Sequence, residues 1–214
     1  MPDYALMNQY LYEGNADQVE QLTKAALAEG RSAQEVLNEG LIAGMSVVGE
    51  DFKHNVLYVP EVLIAARAMK AGMAVLKPLL SSKNDGTKPK GVLLMGTVRG
   101  DLHDIGKNLV GAMLEGGGFE VIDLGADVPP ERFLQAAKEK NADIVALSAL
   151  LTVTMPAMKT TIEFLKQAEV RDRLKVIVGG APVTRQFAEQ VGADAYGESA
   201  TKAVKVARSL VGKA

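Results

Sequence analysis

The sequence predicts an α/β protein in two parts: a small four-helix bundle over residues 1–82, then a five-stranded parallel sheet wrapped by helices over residues 91–214. Three observations predict it. Residues 1 to about 82 place apolar side chains at helical spacing only. From Lys90 onward, short apolar runs alternate with amphipathic helical stretches. Between the two, Ser81-Ser-Lys-Asn-Asp-Gly-Thr-Lys-Pro-Lys90 is polar, carries turn residues and lacks periodicity, and residues 83–90 of it read as a linker. A chain of 214 residues holds one large domain or two small ones, and 48% apolar content is enough for proper cores.

In the first part, Val19, Leu22, Ala26 and Leu27 line one face of a helix that Gly30 ends. Ser32-x-x-Glu35 is a capping box that opens the next helix. There Leu37, Leu41, Met45 and Val48 recur at three and four, and Gly40-x-x-x-Gly44 offers a flat strip for close helix packing. Pro60 suits the first turn of a further helix, whose stripe is Val62, Ala65, Ala66, Met69, Met73 and Leu76. Its methionines read as core. The link from Gly49 to Val62 places Phe52 and Val59 around a turn, and an apolar staple between helices is the simplest reading of both. His54, in the same link, reads as solvated.

In the second part, strands are expected near 91–97, 119–124, 143–148, 174–179 and 193–196, with helices near 105–117, 130–140, 155–169, 183–191 and 198–211. Pro130 and Pro156 sit at helix starts, and Gly116-Gly-Gly118 ends the first helix. Five such units imply a Rossmann-like parallel sheet. The flavodoxin-like order 2-1-3-4-5 has its switch point between strands one and three, where open sheets collect ligands. Those are the strands whose ends carry Asp101 with His103, and Ser148, Thr152 and Thr154.

The stretch Gly96-Thr-Val-Arg-Gly-Asp-Leu-His-Asp-Ile-Gly-Lys-Asn108 is therefore a strand-to-helix turn at a ligand-binding edge. A carboxylate two residues from a histidine accepts one ring N–H and leaves the other nitrogen's lone pair for a metal. The chain has two His and no Cys, so the usual three- or four-ligand zinc site cannot be built from it. A single-His metal site makes sense if the metal arrives with most of its ligands, as in a tetrapyrrole-type cofactor. A phosphate-loop reading of Gly100 to Lys107 fails: the gap is one residue too long, and Asn108 stands where Ser or Thr would hold Mg²⁺. The net charge of −2 argues against nucleic acid or an anionic membrane as partner. Met1–Tyr10 lacks a basic-then-apolar pattern, and no apolar run approaches a membrane span, so the cytoplasm is the expected location.

Asp101-x-His103-x-x-Gly106, then Ser148-x-Leu150, then Gly179-Gly180, each closing an apolar run, resemble the pattern of cobalamin-binding domains in methionine synthases, corrinoid methyl carriers and base-off mutases. The resemblance implies that His103 is the lower axial ligand of cobalt in cobalamin or a related corrinoid, bound His-on and base-off. Asp101 would be its partner, and Thr154 would supply the hydroxyl that completes the relay. Asp104 and Ile105 fall with Gly106 in the same cofactor-binding turn. Ser148 and Thr152, with Leu150, match residues along the displaced nucleotide tail, and Gly179 and Gly180 leave room for it. The turn Tyr196–Ala200 matches too loosely to carry a role over. Phe52 and Val59 fall where the family covers the upper, methyl-bearing face of the corrin; Leu is commoner than Val in the second place.

Nearly the whole chain is similar to the cognate corrinoid proteins of methyltransferase systems. That implies a methyl carrier, not catalytic alone, in which the bundle caps the cofactor. It would take a methyl group from a donor-specific methyltransferase, hold it as methylcobalamin and pass it to an acceptor methyltransferase of tetrahydrofolate or coenzyme M type. A reductive activation protein is the third implied partner. The alternatives are a cobalamin-dependent sensor or regulatory protein, and the small subunit of an adenosylcobalamin mutase. Sensors usually add a DNA-binding or signalling domain, and the mutase subunit generally lacks the helical bundle.

Overall fold

The structure, a computed structural model, describes residues 3–81 and 89–212. The chain divides into two compact units, one of Met1–Pro89 with Glu115–Gly118 and one of Lys90–Leu114 with Phe119–Ala214. Of the linker expected at 83–90, residues 83–88 lie outside the described residues.

The first unit is helical: α1 (Tyr4–Tyr12), α2 (Ala16–Ala28), α3 (Ala33–Glu35), a π-helical stretch (Val36–Ile42), α4 (Ala43–Lys53) and α5 (Val59–Ser81). Residues 33–53 are one continuous helical stretch, so the unit is a bundle of four. Asp3, Asn15 and Ser32 cap α1, α2 and α3 by accepting from Leu6, Gln18 and Glu35 amides. The return half of the capping box is not made. The Glu35 carboxylate instead accepts from Tyr4 Oη at 3.1 Å and from the Arg31 guanidinium at 3.2 Å. The Gly40–Gly44 strip receives α1: a Cβ on Gly40 would stand 2.4 Å from Met7 Sδ, and one on Gly44 would stand 3.3 Å from Asn8 Cα. Val36, Leu41, Met45, Val48, Val62, Ala65, Met69 and Leu76 are buried. Met73 is only half-buried; its neighbour Gly72 is the buried one, and a Cβ there would stand 2.8 Å from Leu41 Cδ2.

The second unit alternates β1 (Val92–Thr97), α6 (Ile105–Gly116), β2 (Glu120–Asp123), α7 (Pro130–Glu139), β3 (Ile144–Ser148), α8 (Pro156–Gln167), β4 (Lys175–Gly179), α9 (Arg185–Gln190), β5 (Ala195–Gly197) and α10 (Ala200–Val211). The sheet is parallel throughout, in the order β2-β1-β3-β4-β5. Its core gathers Leu94, Phe133, Val145, Leu147, Met158, Leu165, Val176 and Val178. Gly96 lets α7 come close, since a Cβ there would stand 2.7 Å from Phe133 Cζ. At the C-terminal edge the register aligns Thr97 with Ser148, Ser148 with Gly179, and Gly179 with Gly197. The switch point between β1 and β3 thus sits in the middle of one row of strand ends. Among the described residues, no helix is long and apolar enough to cross a membrane.

Candidate functional site

The loop after β1 holds the centre of the site. Asp101 is wholly buried, and its carboxylate is bonded on both oxygens. Oδ1 accepts from the His103 backbone N–H at 3.0 Å and pairs with His103 Nδ1 at 2.8 Å. Oδ2 accepts from Thr154 Oγ1 at 2.6 Å, Leu150 N at 2.8 Å and Leu151 N at 3.3 Å. Burial by itself raises the carboxyl's pKa; the donors from Thr154, the His103 and Leu150 amides and the His103 ring outweigh it and hold the group well below the usual carboxylate range. Asp101 is therefore ionised at neutral pH and only accepts. The proton of a neutral His103 ring must then lie on Nδ1, leaving the Nε2 lone pair exposed on a side chain 49% open to solvent.

Asp101 ties two strand ends together. Its own loop follows β1, whereas Leu150, Leu151 and Thr154 belong to the loop after β3. The same two loops and the start of α6 carry apolar side chains that folding leaves in water: Leu102 (76% exposed), Ile105 (74%) and Val153 (80%), with Leu150 and Leu151 also exposed. Exposed apolar residues gathered on the loops that hold His103 suit a broad apolar ligand. Among the described residues, no three His, Cys, Asp or Glu side chains group closely enough to hold a metal, so a metal here must bring its own ligands. A Cβ on Gly106 would meet no protein atom within 4 Å, so protein packing does not require glycine at this place. These residues fit a metal held in a flat macrocycle.

The other expected site residues occupy varied surroundings. Asp104 is half-buried and serves α6: its carbonyl accepts from Asn108 N at 2.7 Å and its Oδ2 from Asn108 Nδ2 at 3.2 Å. Ser148 is half-buried in the row of strand ends, and Thr152 lies on the exposed side of the β3 loop. Gly179 and Gly180 answer first to backbone packing. A Cβ on Gly179 would stand 2.9 Å from Gly197 O, and one on Gly180, whose φ is +129°, would stand 1.9 Å from Ala149 O. Phe52 and Val59 are half-buried within the helical unit, on the last turn of α4 and at the start of α5. His54 is exposed and pairs with Glu50 Oε1 at 3.0 Å.

Three residues that sequence reasoning left out support the cluster. Thr97 Oγ1 donates to the His103 carbonyl at 3.0 Å. Asp127, with φ +53°, accepts from Gly100 N at 2.7 Å through Oδ1 and donates its own N–H to Asp101 O at 2.9 Å. Lys107 is buried, with its ammonium on Asp123 Oδ2 and, at 2.8 Å, on Asn108 Oδ1. Of the three, Asp127 carried a sequence signal, an Asp shortly before a Pro pair in a turn, and Lys107 carried only the phosphate-loop likeness already set aside.

Two family models, each described as a B12 binding domain, match the chain over residues 91–205 and 6–77. The dimethylamine corrinoid protein of Methanosarcina barkeri is 49% identical over 177 residues, covering 83% of each chain. A corrinoid protein of Desulfitobacterium hafniense is 42% identical over 209 residues, covering 97% of this chain and 96% of that one. Among solved structures, the methanol:cobalamin methyltransferase complex MtaBC of Methanosarcina barkeri aligns with a TM-score of 0.86 at 31% identity, over 97% of this chain and 79% of that one. A cobalamin-binding protein of Desulfitobacterium hafniense aligns with a TM-score of 0.78 at 34% identity, over 99% and 100%.

Proposed function

Because the chain belongs to the cobalamin-binding corrinoid proteins of methyltransferase systems, we propose that it carries a methyl group from a donor-specific methyltransferase to an acceptor methyltransferase, with His103 Nε2 as the lower ligand of its cobalt. The corrinoid, when bound, supplies a metal centre that takes up and gives up a methyl group. The protein's part is to present one nitrogen in one state. The observation that carries the reading is the Asp101 carboxylate, ionised, buried and bonded to His103 Nδ1 at 2.8 Å. It keeps the proton off Nε2 while that nitrogen is ligated. Thr154 Oγ1 at 2.6 Å and the β3-loop amides keep the carboxylate from turning. Leu102, Ile105, Leu150, Leu151 and Val153 exclude water from the ligated ring edge.

In this reading Ser148 and Thr152 bond the nucleotide tail of a base-off corrinoid, with Leu150, Gly179 and Gly180 beside it, and Phe52 and Val59 cover the methyl-bearing face. The acceptor methyltransferase is of tetrahydrofolate or coenzyme M type, and a reductive activation protein restores the resting cofactor. The setting is the cytoplasm. Relatives named for dimethylamine and trimethylamine, and the methanol complex, make methylated amines and methanol the donors to offer first.

The test is spectroscopic and then functional. Protein made with nitrogen-15 histidine and loaded with cob(II)alamin should show an axial nitrogen splitting that changes with the label and disappears in His103→Ala. A splitting indifferent to the label overturns the ligand assignment. The reduced, loaded protein should then be methylated by a methyltransferase given its donor, and demethylated by an acceptor enzyme. Loading without either transfer overturns the carrier role.

A further inference from the structure

We propose that Thr97 is a positioning residue for His103, fixing through its hydroxyl the backbone from which the ring projects. This rests on the reading that His103 is the axial ligand. Asp101 Oδ1 takes both the His103 N–H at 3.0 Å and Nδ1 at 2.8 Å. Two bonds to a single atom form a pivot, about which backbone and ring can still swing together. The third point of attachment is the His103 carbonyl, which accepts from Thr97 Oγ1 at 3.0 Å.

Thr97 is itself immobilised. It is wholly buried at the end of β1, its N–H donates to Gly125 O at 3.0 Å, and its carbonyl accepts from Val128 N at 2.9 Å. Its Cα is in register with Ser148 of β3. With the main chain so occupied, the hydroxyl is what distinguishes this residue from a valine, which has nearly the same shape and equal preference for a strand. Its partner is the carbonyl of the one histidine in the cluster. A hydroxyl on a rigid strand end thus holds still the residue whose ring must meet a metal at a fixed distance and angle.

The test compares Thr97→Val and Thr97→Ala, which lack the hydroxyl, with Thr97→Ser, which keeps it. Each is loaded with cob(II)alamin, and the ratio of nitrogen-ligated to unligated signal is read in one common buffer. Removing one neutral hydrogen bond should lower that ratio roughly three- to tenfold, with Thr97→Ser staying within about twofold of the parent. In the cofactor-free protein, the 102–104 amides should exchange faster in Val and Ala but not in Ser, a readout that holds if one variant loads poorly. A melting temperature lowered with the ratio and exchange unchanged shows a merely structural threonine and overturns the proposal. So does a serine variant that falls as far as valine. Absence of nitrogen splitting in the unsubstituted protein overturns the ligand reading itself, whereas splitting with unaltered ratios in all variants overturns the role of Thr97 alone.

Discussion

Replacing Asp101 with asparagine keeps the shape of the side chain and removes one acceptor, and the hydrogen bonds around it determine the consequence. Oδ2 serves three donors, Leu150 N, Leu151 N and Thr154 Oγ1, and Oδ1 serves two, both on His103. The single asparagine oxygen therefore takes the Oδ2 place, and its NH₂ faces the His103 amide and Nδ1. The ring escapes the clash by moving its proton to Nε2, so that Nδ1 accepts. The His103 backbone N–H has no such escape. An unpaired donor costs about 1–3 kcal/mol when fully buried, less at this part-buried amide, and the retained bonds lose their charge-assisted strength, so the loss of stability is on the order of 1–3 kcal/mol. Long-range proton–nitrogen NMR of the cofactor-free protein reads the tautomer directly, and urea unfolding reads the stability. The variant should carry Nε2–H, have no lone pair to offer a metal, and lose axial nitrogen ligation with the ring intact. If its ring keeps the proton on Nδ1, Asp101 does not set the tautomer and the reasoning fails.

Because the folded Asp101 carboxyl is held below its unfolded value of about 3.9, its contribution is present above that value and lost as pH falls; the stability gap between parent and Asp101→Asn should therefore narrow from about pH 4 downward, and a constant gap refutes it. Gly180→Ala would set a Cβ 1.9 Å from Ala149 O at a φ of +129°, and should destabilise the second unit by roughly 3 kcal/mol or more in urea unfolding. Leu102→Asp, at a side chain 76% exposed, should leave the melting temperature of the cofactor-free protein within a degree or two while weakening corrinoid binding by about tenfold in an absorbance titration.

The periodic parts of the molecule were open to reading from the chain alone. Val92–Thr97, Ile144–Ser148 and Lys175–Gly179 are apolar runs because their strands are covered on both faces, and the crossing from β1 to β3 came from alternation and handedness. Asp101 with Thr154 could be paired only through a resemblance, since 53 positions separate them. Thr97 gave no sign, because a buried threonine in an apolar run looks like a valine until its hydroxyl's partner is known. Lys107 invited a phosphate reading, but Asp123, at the end of β2, takes up its ammonium. Gly179 and Gly180 looked like space left for a ligand; the carbonyls of Gly197 and Ala149, contributed by neighbouring segments, already forbid a side chain there. What stayed hidden was the set of bonds between a side chain and a distant main chain, which leave no period in the sequence.

One carboxylate oxygen of Asp101 faces the ring, and the other faces Leu150, Leu151 and Thr154. A change of charge on the imidazole is thus felt by both loops, since the oxygens share one delocalised charge. If Nε2 ligates a metal as proposed, then by reciprocity a protein that grips residues 150–154 biases whether the ring stays ligated, and release of the ring alters what that protein meets. On that proposal, a docking enzyme would sense the ring's state without touching it.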